Sequence, residues 1–466
     1  MTATPFRKHI IVCTQRKPDG LPCCAAVGGV AALEQLRAAV ERAGVADEVL
    51  VTGCDCLGLC DRGPNAIVDP EGIWWTGLDA TRIEQLVESL GPGARPAAGD
   101  VGPSTTELLD EVLAHRRHVA AVRAAQAAAG ALPEPLNQMV RGFQASRILL
   151  TAIELDVFTQ IDRLGGAAGA TAAAVAGALD AAPRGVTVLL DALVGLELLA
   201  RLEDGRYRNG PWADRLLRAG APHDRRAMLQ HLVHLWPRWS RLTECVRAGT
   251  AVDHDEMIER GETWTRAFIG AMHQIASLRA PQVVAALDRE GVLDGVRTVL
   301  DLGGGSGAYA HALARALPEL RVTVFDLPTV TPLTRQYAAE AGLADRVHTI
   351  DGDLRADSLG SDFDLVVISA ICHMLGPAEN TTMLERTRRA LRPGGHVVIQ
   401  DFIPDAMRTG PPSALLFGIN MLVGTREGGV YTAAEYERWL GAAGFVEPRT
   451  IRLPGPTDLL LATRPA

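Results

Sequence analysis

Apolar residues recur along this chain in three successive rhythms. From residue 9 to 90, short apolar runs surround one amphipathic stretch. HIIVCT, VLVTG (49–53), NAIVD (65–69) and IWWTG (73–77) read as strands, and DPEG supplies the turn joining the last two. Val30 to Ala43 repeats its apolar residues at helical spacing, with Val30, Leu33, Leu36 and Val40 on one face. Residues 80–90 read as a closing helix, completing a small α/β unit. The next segment, GPGARPAAGDVGPST, has the composition of a linker.

From 106 to 225 the rhythm is helical. ASRILLTAIELDVFTQI predicts one helix, and PRGVTVLLDALVGLELL another with Pro in its first turn. LLARLEDGRYRNG follows as a hairpin with a DG turn. Two helices and a hairpin outline a winged helix. Only scattered arginines line the second helix, which favours a packing or dimerisation module over a DNA reader. From 226 to 466 helices alternate with apolar strands: VRTVLDLGG, RVTVFDLP, RVHTIDGD, FDLVVISA, GGHVVIQDF and DLLLATRP. That alternation predicts a parallel, doubly wound, Rossmann-like sheet. The expected domains are therefore 1–92, a linker over 93–105, a winged-helix-like domain over 106–225, and an α/β domain over 226–466.

The 466 residues suit about three domains at roughly 150 residues each. Forty-six Lys and Arg against 55 Asp and Glu leave a net charge of −9. No basic run meets the demands of a nucleic-acid backbone, so nucleic acid is excluded as a partner. No apolar stretch approaches the roughly 20 residues of a membrane-spanning helix, and the N-terminus lacks the pattern of a secretory signal. The expectation is a cytoplasmic protein directed at a small molecule.

Six of the eight cysteines lie in the first 60 residues: Cys13, Cys23, Cys24, Cys54, Cys56 and Cys60. Cys245 and Cys372 stand alone. In a reducing compartment such a group reads as metal-binding or redox-active. Cys13 ends a strand, Cys24 lies in a loop, and Cys56 and Cys60 share a second loop, so four thiolates meet at one end of a small sheet. They suit zinc or an iron–sulfur cluster. The run Cys56, Cys60, Gly63, Pro64, with the following strand, hairpin and aromatic pair, resembles the thioredoxin-like 2Fe-2S ferredoxin family over residues 5–92. The resemblance implies a 2Fe-2S cluster on Cys13, Cys24, Cys56 and Cys60, and an electron-transfer partner. Cys23 beside Cys24 and Cys54 beside Cys56 depart from the family pattern, and Cys23 competes with Cys24 for the second position.

The segment from Val299 to Gly307 is a strand running into glycines and then a helix. Glycines admit close approach of a ligand, and a helix N-terminus favours polar or anionic groups. Asp326 ends the next strand, where a carboxylate reaches a ribose diol; a dinucleotide fits this much equally well. DLGGGSG, FDLP, GDL, FDLVV and LRPGGHVVIQDFIP in this order resemble class I S-adenosylmethionine-dependent methyltransferases. More narrowly, residues 106–466 resemble the small-molecule O-methyltransferases of plants and actinomycete natural-product pathways, which carry a winged-helix dimerisation domain. The resemblance implies a homodimer. It also implies an S-adenosylmethionine site of Asp301, Gly303, Gly305, Asp326, Leu327, Asp353 and Leu354, in which Gly303 and Gly305 pass under the methionine part, Asp326 binds the ribose hydroxyls, and Asp353 with Leu354 borders the adenine.

His373 follows the strand FDLVVIS at its carboxyl end, where ligands sit in open α/β sheets. A histidine there can take a proton from a substrate hydroxyl, and Ile371-Cys372-His373 matches the family's segment for the general base. The carboxylate that the family sets after two glycines is missing from Gly428-Gly429-Val430-Tyr431-Thr432, and a second acidic position reads Gln400. Asp401 is the substitute. Trp236, Trp239, Phe268, Met272 and His273 on one apolar stretch, and Phe417, Asn420 and Met421 on another, match the family's substrate helices. From these Met272, His273, Phe417 and Met421 are the candidate substrate residues.

The expected function is transfer of a methyl group from S-adenosylmethionine to an oxygen of a small aromatic or polyketide-type metabolite, with no metal required at that site. The alternative is an S-adenosylmethionine-binding oxidoreductase, a hydroxylase or decarboxylase fed by the ferredoxin-like domain. A product gaining one CH2 group separates the first from a product gaining one oxygen.

Overall fold

The computed structural model describes residues 6–15, 23–90, 112–114, 117–122, 124–125, 129–130, 132–253 and 261–466. The expected linker over 93–105 lies outside the described residues. The chain divides into two compact units, Met1–Phe143 and Gln144–Ala466.

In the first unit β1 (Lys8–Cys13), β2 (Val49–Cys54), β3 (Ala66–Asp69) and β4 (Ile73–Trp75) form one sheet in the order β2-β1-β3-β4. β1 and β2 are parallel, and the other pairs are antiparallel. The amphipathic helix Gly29–Arg42 buries Leu33, Leu36 and Val40 against Ile10 and Val12, joined by Ile83 and Leu86 of helix Ala80–Glu88. Val30, expected on that face, is exposed. Cys13 and Cys54 close their strands side by side, which brings the cysteine loops to one end of the sheet.

In the second unit the helical segment departs from its expected outline. ASRILLTAIELDVFTQI is not one helix but parts of two, Glu134–Glu154 and Val157–Gly165. The break falls at Asp156, which adopts φ 55°. Its carboxylate accepts from Thr159 Oγ1 at 2.5 Å and pairs with Arg226 at 3.1 Å. Short acidic side chains tolerate that left-handed conformation when they bond locally. Helix Pro183–Gly195 begins at its proline as expected. β5 (Leu199–Arg201) and β6 (Tyr207–Asn209) form the hairpin around Asp204-Gly205.

The seven-stranded sheet runs β12-β13-β11-β10-β7-β8-β9, comprising β7 (Thr298–Leu302), β8 (Arg321–Asp326), β9 (Val347–Asp351), β10 (Phe363–Ser369), β11 (Leu391–Asp401), β12 (Val446–Ile451) and β13 (Asp458–Thr463). β13 is antiparallel to both β11 and β12, so the expected all-parallel sheet needs correction. The physical reason is the connection: residues 452–457 are too few for the crossover that a parallel neighbour requires. Both faces of the sheet are covered. Val299, Val324, Leu365 and Val367 enter one core, while Leu300, Phe325, Val366 and Ile368 enter the other. This two-sided burial explains why the strands read as continuous apolar runs. The chain leaves β7 for β8 on one side and β10 lies on the other, so a crevice opens at the carboxyl ends of β7 and β10. Among the described residues no single helix is long and apolar enough to cross a membrane.

Candidate active site and the cysteine group

The loop after β7 is shaped by what its glycines must avoid. A Cβ on Gly303 would lie 2.4 Å from Ile371 Cδ1, and one on Gly304 would lie 2.5 Å from the carboxyl carbon of Asp301. Gly303 also adopts φ 68°. The loop therefore presses against the floor of the crevice and against the segment that carries His373.

Asp301 is fully buried, and among the described residues its carboxylate meets only a loosely placed backbone N–H, that of Ala310. Burial pushes it up to about 7. A buried acid with acceptor capacity to spare is compatible with a further donor, above all a cationic one. Asp326 is 9% exposed. It accepts from the Gly305 N–H and the Leu327 N–H, each at 2.7 Å. Burial raises it to about 6, against the pull of those two bonds. Thr334 Oγ1 donates to the Gly305 carbonyl at 2.6 Å, a support that no sequence pattern announced. Burial would raise Asp353, but its bonds to Arg355 bring it below the usual carboxylate range. The Asp353 carboxylate is thus taken up by Arg355, and Leu354 packs into the core beside it.

His373 lies in the short turn Cys372–Met374 directly after β10 and is 6% exposed. Its Nδ1 meets Asp401 Oδ1 at 2.6 Å. Asp401, the last residue of β11, is fixed by three further donors: the His373 N–H at 3.1 Å, the Phe402 N–H at 2.8 Å and the Tyr436 hydroxyl at 3.1 Å. With Nδ1 as donor to a carboxylate, Nε2 is left as the acceptor. Phe417 stands edge-on to the His373 ring at 4.7 Å and stacks on Phe402 at 3.9 Å. The segment in which an acid was missing holds the turn through one backbone N–H and one phenol. Gly429 N–H donates to the His373 carbonyl at 2.9 Å, and Tyr431 OH donates to the Leu375 carbonyl at 2.5 Å. Gln400 is structural, bridging Tyr309 and Thr457.

Known proteins resemble this chain over its second unit. Residues 242–446 match the O-methyltransferase domain, and residues 137–219 match the O-methyltransferase dimerisation domain. The tetracenomycin polyketide synthesis 8-O-methyl transferase of Streptomyces glaucescens is 33% identical over 72% of this chain and 97% of its own length. The 3-hydroxy-5-methyl-1-naphthoate 3-O-methyltransferase of Streptomyces sahachiroi is 36% identical, covering 70% of this chain and 92% of its own. The chain belongs to the O-methyltransferase family. Among solved structures, human N-acetylserotonin methyltransferase in complex with SAM superposes with a TM-score of 0.63 at 28% identity, over 71% of this chain and 97% of its own. An S-adenosylmethionine-dependent O-methyltransferase is therefore the coarse identity of the second unit.

The other candidate residues of this O-methyltransferase divide between two places. Phe417 is at the His373 dyad. His273 is beside the glycine loop instead: its Nδ1 meets Ser306 Oγ at 2.8 Å and its ring stacks on Tyr337 at 4.1 Å. Met272 is half-buried on the same helix, Glu262–Arg289, and Met421 is buried on helix Pro412–Gly424. Trp239 Nε1 donates to Asn420 Oδ1 at 3.1 Å, joining the two apolar stretches singled out in the sequence. His231 was not anticipated. It lies edge-on to Phe268 at 5.3 Å, and among the described residues its buried Nδ1 has no partner. Burial pushes it down to about 4, so it is a neutral imidazole.

Both family models begin after the cysteine-rich segment. Among the described residues, no group of three or more His, Cys, Asp or Glu side chains stands at the spacing of a metal ion's ligands. Four thiols nevertheless adjoin in a ring: Cys13 bonds to Cys24 and Cys56, Cys24 to Cys60, and Cys56 Sγ lies 3.4 Å from Cys60 Sγ. The ring runs through Cys24. The adjoining Cys13 and Cys60 thiols, then burial, push the Cys24 thiol far up. Asn65, fully buried, donates from Nδ2 to Cys24 Sγ at 3.5 Å. A Cβ on Gly63 would lie 2.9 Å from that sulfur. Cys54 stands apart, half-exposed, with burial raising it to about 11.

Proposed function

We propose that this protein transfers the methyl group of S-adenosylmethionine to a phenolic hydroxyl of a small fused-ring aromatic acceptor, with His373 as general base. The observation that carries the reading is the 2.6 Å pairing of His373 with Asp401 beside the Phe402–Phe417 stack. S-Adenosylmethionine supplies an electrophilic methyl on a sulfonium sulfur, so the chain has only to place the acceptor oxygen and take its proton. His373 Nε2 accepts that proton as the oxygen attacks, while Asp401 holds the Nδ1–H and balances the imidazolium. Phe402 and Phe417 give a flat apolar wall against which an aromatic ring lies, excluding water from the new bond. At the glycine loop, Asp301 offers its spare acceptor capacity to an ammonium, and Asp326 its remaining lone pairs to ribose hydroxyls. The tetracenomycin and naphthoate relatives support the acceptor class.

Two further assignments belong to the same reading. The chain works as a homodimer through the segment matched by the dimerisation model. Helix Glu134–Glu154 supports this, for Met139 (76% exposed) and Phe143 (59%) leave apolar surface uncovered on it. The first unit holds a 2Fe-2S cluster on Cys13, Cys24, Cys56 and Cys60. Four thiols adjoining at one end of the sheet are the donor set such a cluster takes. The cluster would supply one-electron chemistry, and the acidic first 90 residues, 8 Lys and Arg against 12 Asp and Glu, suit a basic redox partner. That electron supply is also what the oxidoreductase alternative requires.

The test is incubation of the full chain with methyl-labelled S-adenosylmethionine and a panel of hydroxynaphthoates and N-acetylserotonin. The expected product gains one CH2 and carries the label on oxygen. A product gaining an oxygen atom instead, only in the presence of reductant, replaces this reading with the oxidoreductase.

A further inference from the structure

We propose that Tyr436 is a positioning residue for the proton transfer at His373, acting through Asp401. The inference rests on His373 being the base.

Asp401 is 1% exposed, and a carboxylate at that depth needs donors around both oxygens. Oδ1 accepts from His373 Nδ1 and the Phe402 N–H. Oδ2 accepts from the His373 N–H and from the Tyr436 hydroxyl. Two of the four donors are backbone and one is the histidine being oriented. Among the described residues Tyr436 is thus the one other side chain that fixes how the carboxylate is turned.

The placement of that hydroxyl is over-determined. Tyr436 is fully buried on helix Ala433–Ala442. The helix is anchored by a capping box, with the Thr432 N–H donating to Glu435 Oε2 at 2.7 Å. The ring is wedged edge-on between Tyr431 at 6.0 Å and Trp439 at 5.3 Å. Burial, and next the charge of Asp401, push the phenol well above its ordinary range, so it remains a neutral O–H donor. Phenylalanine at 436 would keep this packing and remove only the donor. Oδ2 would then keep one bond, the carboxylate could swing, and the Nδ1–H would lose its fixed acceptor. A base that is present but loosely aimed costs rate rather than binding.

Tyr436→Phe in the full chain tests this. With the acceptor found among the hydroxynaphthoates, kcat is expected to fall about 10-fold, the equivalent of one lost bond to a charged group. The acceptor KM and S-adenosylhomocysteine affinity should stay within about twofold. Adding the substitution to Asp401→Ala should change kcat by less than about twofold, because the acceptor it serves is gone. Nitrogen-15 histidine NMR reads the same device without turnover: the Nδ1-bound proton of His373 moves in Tyr436→Phe and stays in Trp439→Phe, which trims the same aromatic group without touching Asp401. A folded Tyr436→Phe with kcat within twofold of the parent overturns the proposal, as do losses that add in the double variant. Should Tyr436→Phe not fold, replacement of all tyrosines by 3-fluorotyrosine strengthens the phenol as a donor in the native chain, and an unmoved His373 proton then overturns it. Failure of the base assignment shows separately, as unreduced turnover in His373→Ala.

Discussion

The Gly305 N–H and the Asp326 carboxylate meet at 2.7 Å, tying the glycine loop after β7 to the end of β8. Asp326 therefore has a double task. It offers acceptors to a ribose, and it fixes the loop that a sulfonium ligand would lie on. Asp326→Ala should weaken S-adenosylhomocysteine binding by roughly 1.5–3 kcal/mol, the range for hydrogen bonds to a charged group. Asp326→Asn should cost less, since an amide oxygen still accepts the Gly305 N–H. Titration calorimetry checks both, and equal affinity in parent and Asp326→Ala counts against the assignment.

Asp301 makes the unliganded protein sensitive to pH in an unusual direction. Its value rises from 3.8 to about 7 on folding. Between those values the native state binds more protons than the unfolded state, so stability falls as pH rises through this window. Above it the cost is constant, at most roughly 4 kcal/mol by the conversion of about 1.4 kcal/mol per unit. Thermal melts from pH 4.5 to about 8 should show the parent losing stability relative to Asp301→Asn as pH rises, on top of what Asp326 and the buried histidines contribute equally to both. S-Adenosylhomocysteine carries an ammonium and should flatten the parent's slope. Parallel curves for parent and variant would exclude a buried unpaired acid.

Gly428 is the tightest point of the clamp on His373. A Cβ there would lie 2.4 Å from the His373 carbonyl oxygen. Gly428→Ala must move the turn that carries the base, and a displacement on the order of 1 Å costs about 100-fold in rate. Steady-state kinetics should show that loss in kcat, with S-adenosylhomocysteine affinity retained.

In the first unit, serine at Cys24, Cys56 or Cys60 should abolish iron binding and visible absorbance in anaerobically purified protein. Serine at Cys23 or Cys54 should leave both. Colourless protein with one zinc per chain would replace the cluster with a structural metal.

What could be read from the sequence follows the range of the forces involved. β7, β8 and β10 declare themselves because both sheet faces are buried, and strand ends locate Asp301, Asp326 and His373 with no knowledge of contacts. The antiparallel β13 was hidden, because its direction depends on a short connection rather than on its own residues. The break at Asp156 was hidden for another reason: Arg226, far along the chain, helps hold the left-handed turn inside an unbroken apolar pattern. Asp401 was reachable as the acid next to the position that reads Gln400. Tyr436 was not, for its contact with Asp401 spans 35 residues and looks like ordinary core aromatic spacing. His273 matched a substrate helix but faces Ser306 of the glycine loop, a rotation that helical periodicity does not resolve.

The central claim is that His373 is the base for O-methylation. The most direct measurement is the rate of labelled methyl transfer by folded His373→Ala, with S-adenosylhomocysteine affinity measured on the same sample. Unchanged affinity and a rate lowered about 100-fold or more, the range for a general base, are expected. A His373→Ala protein that binds the ligand and methylates the acceptor at the parent's rate would contradict it.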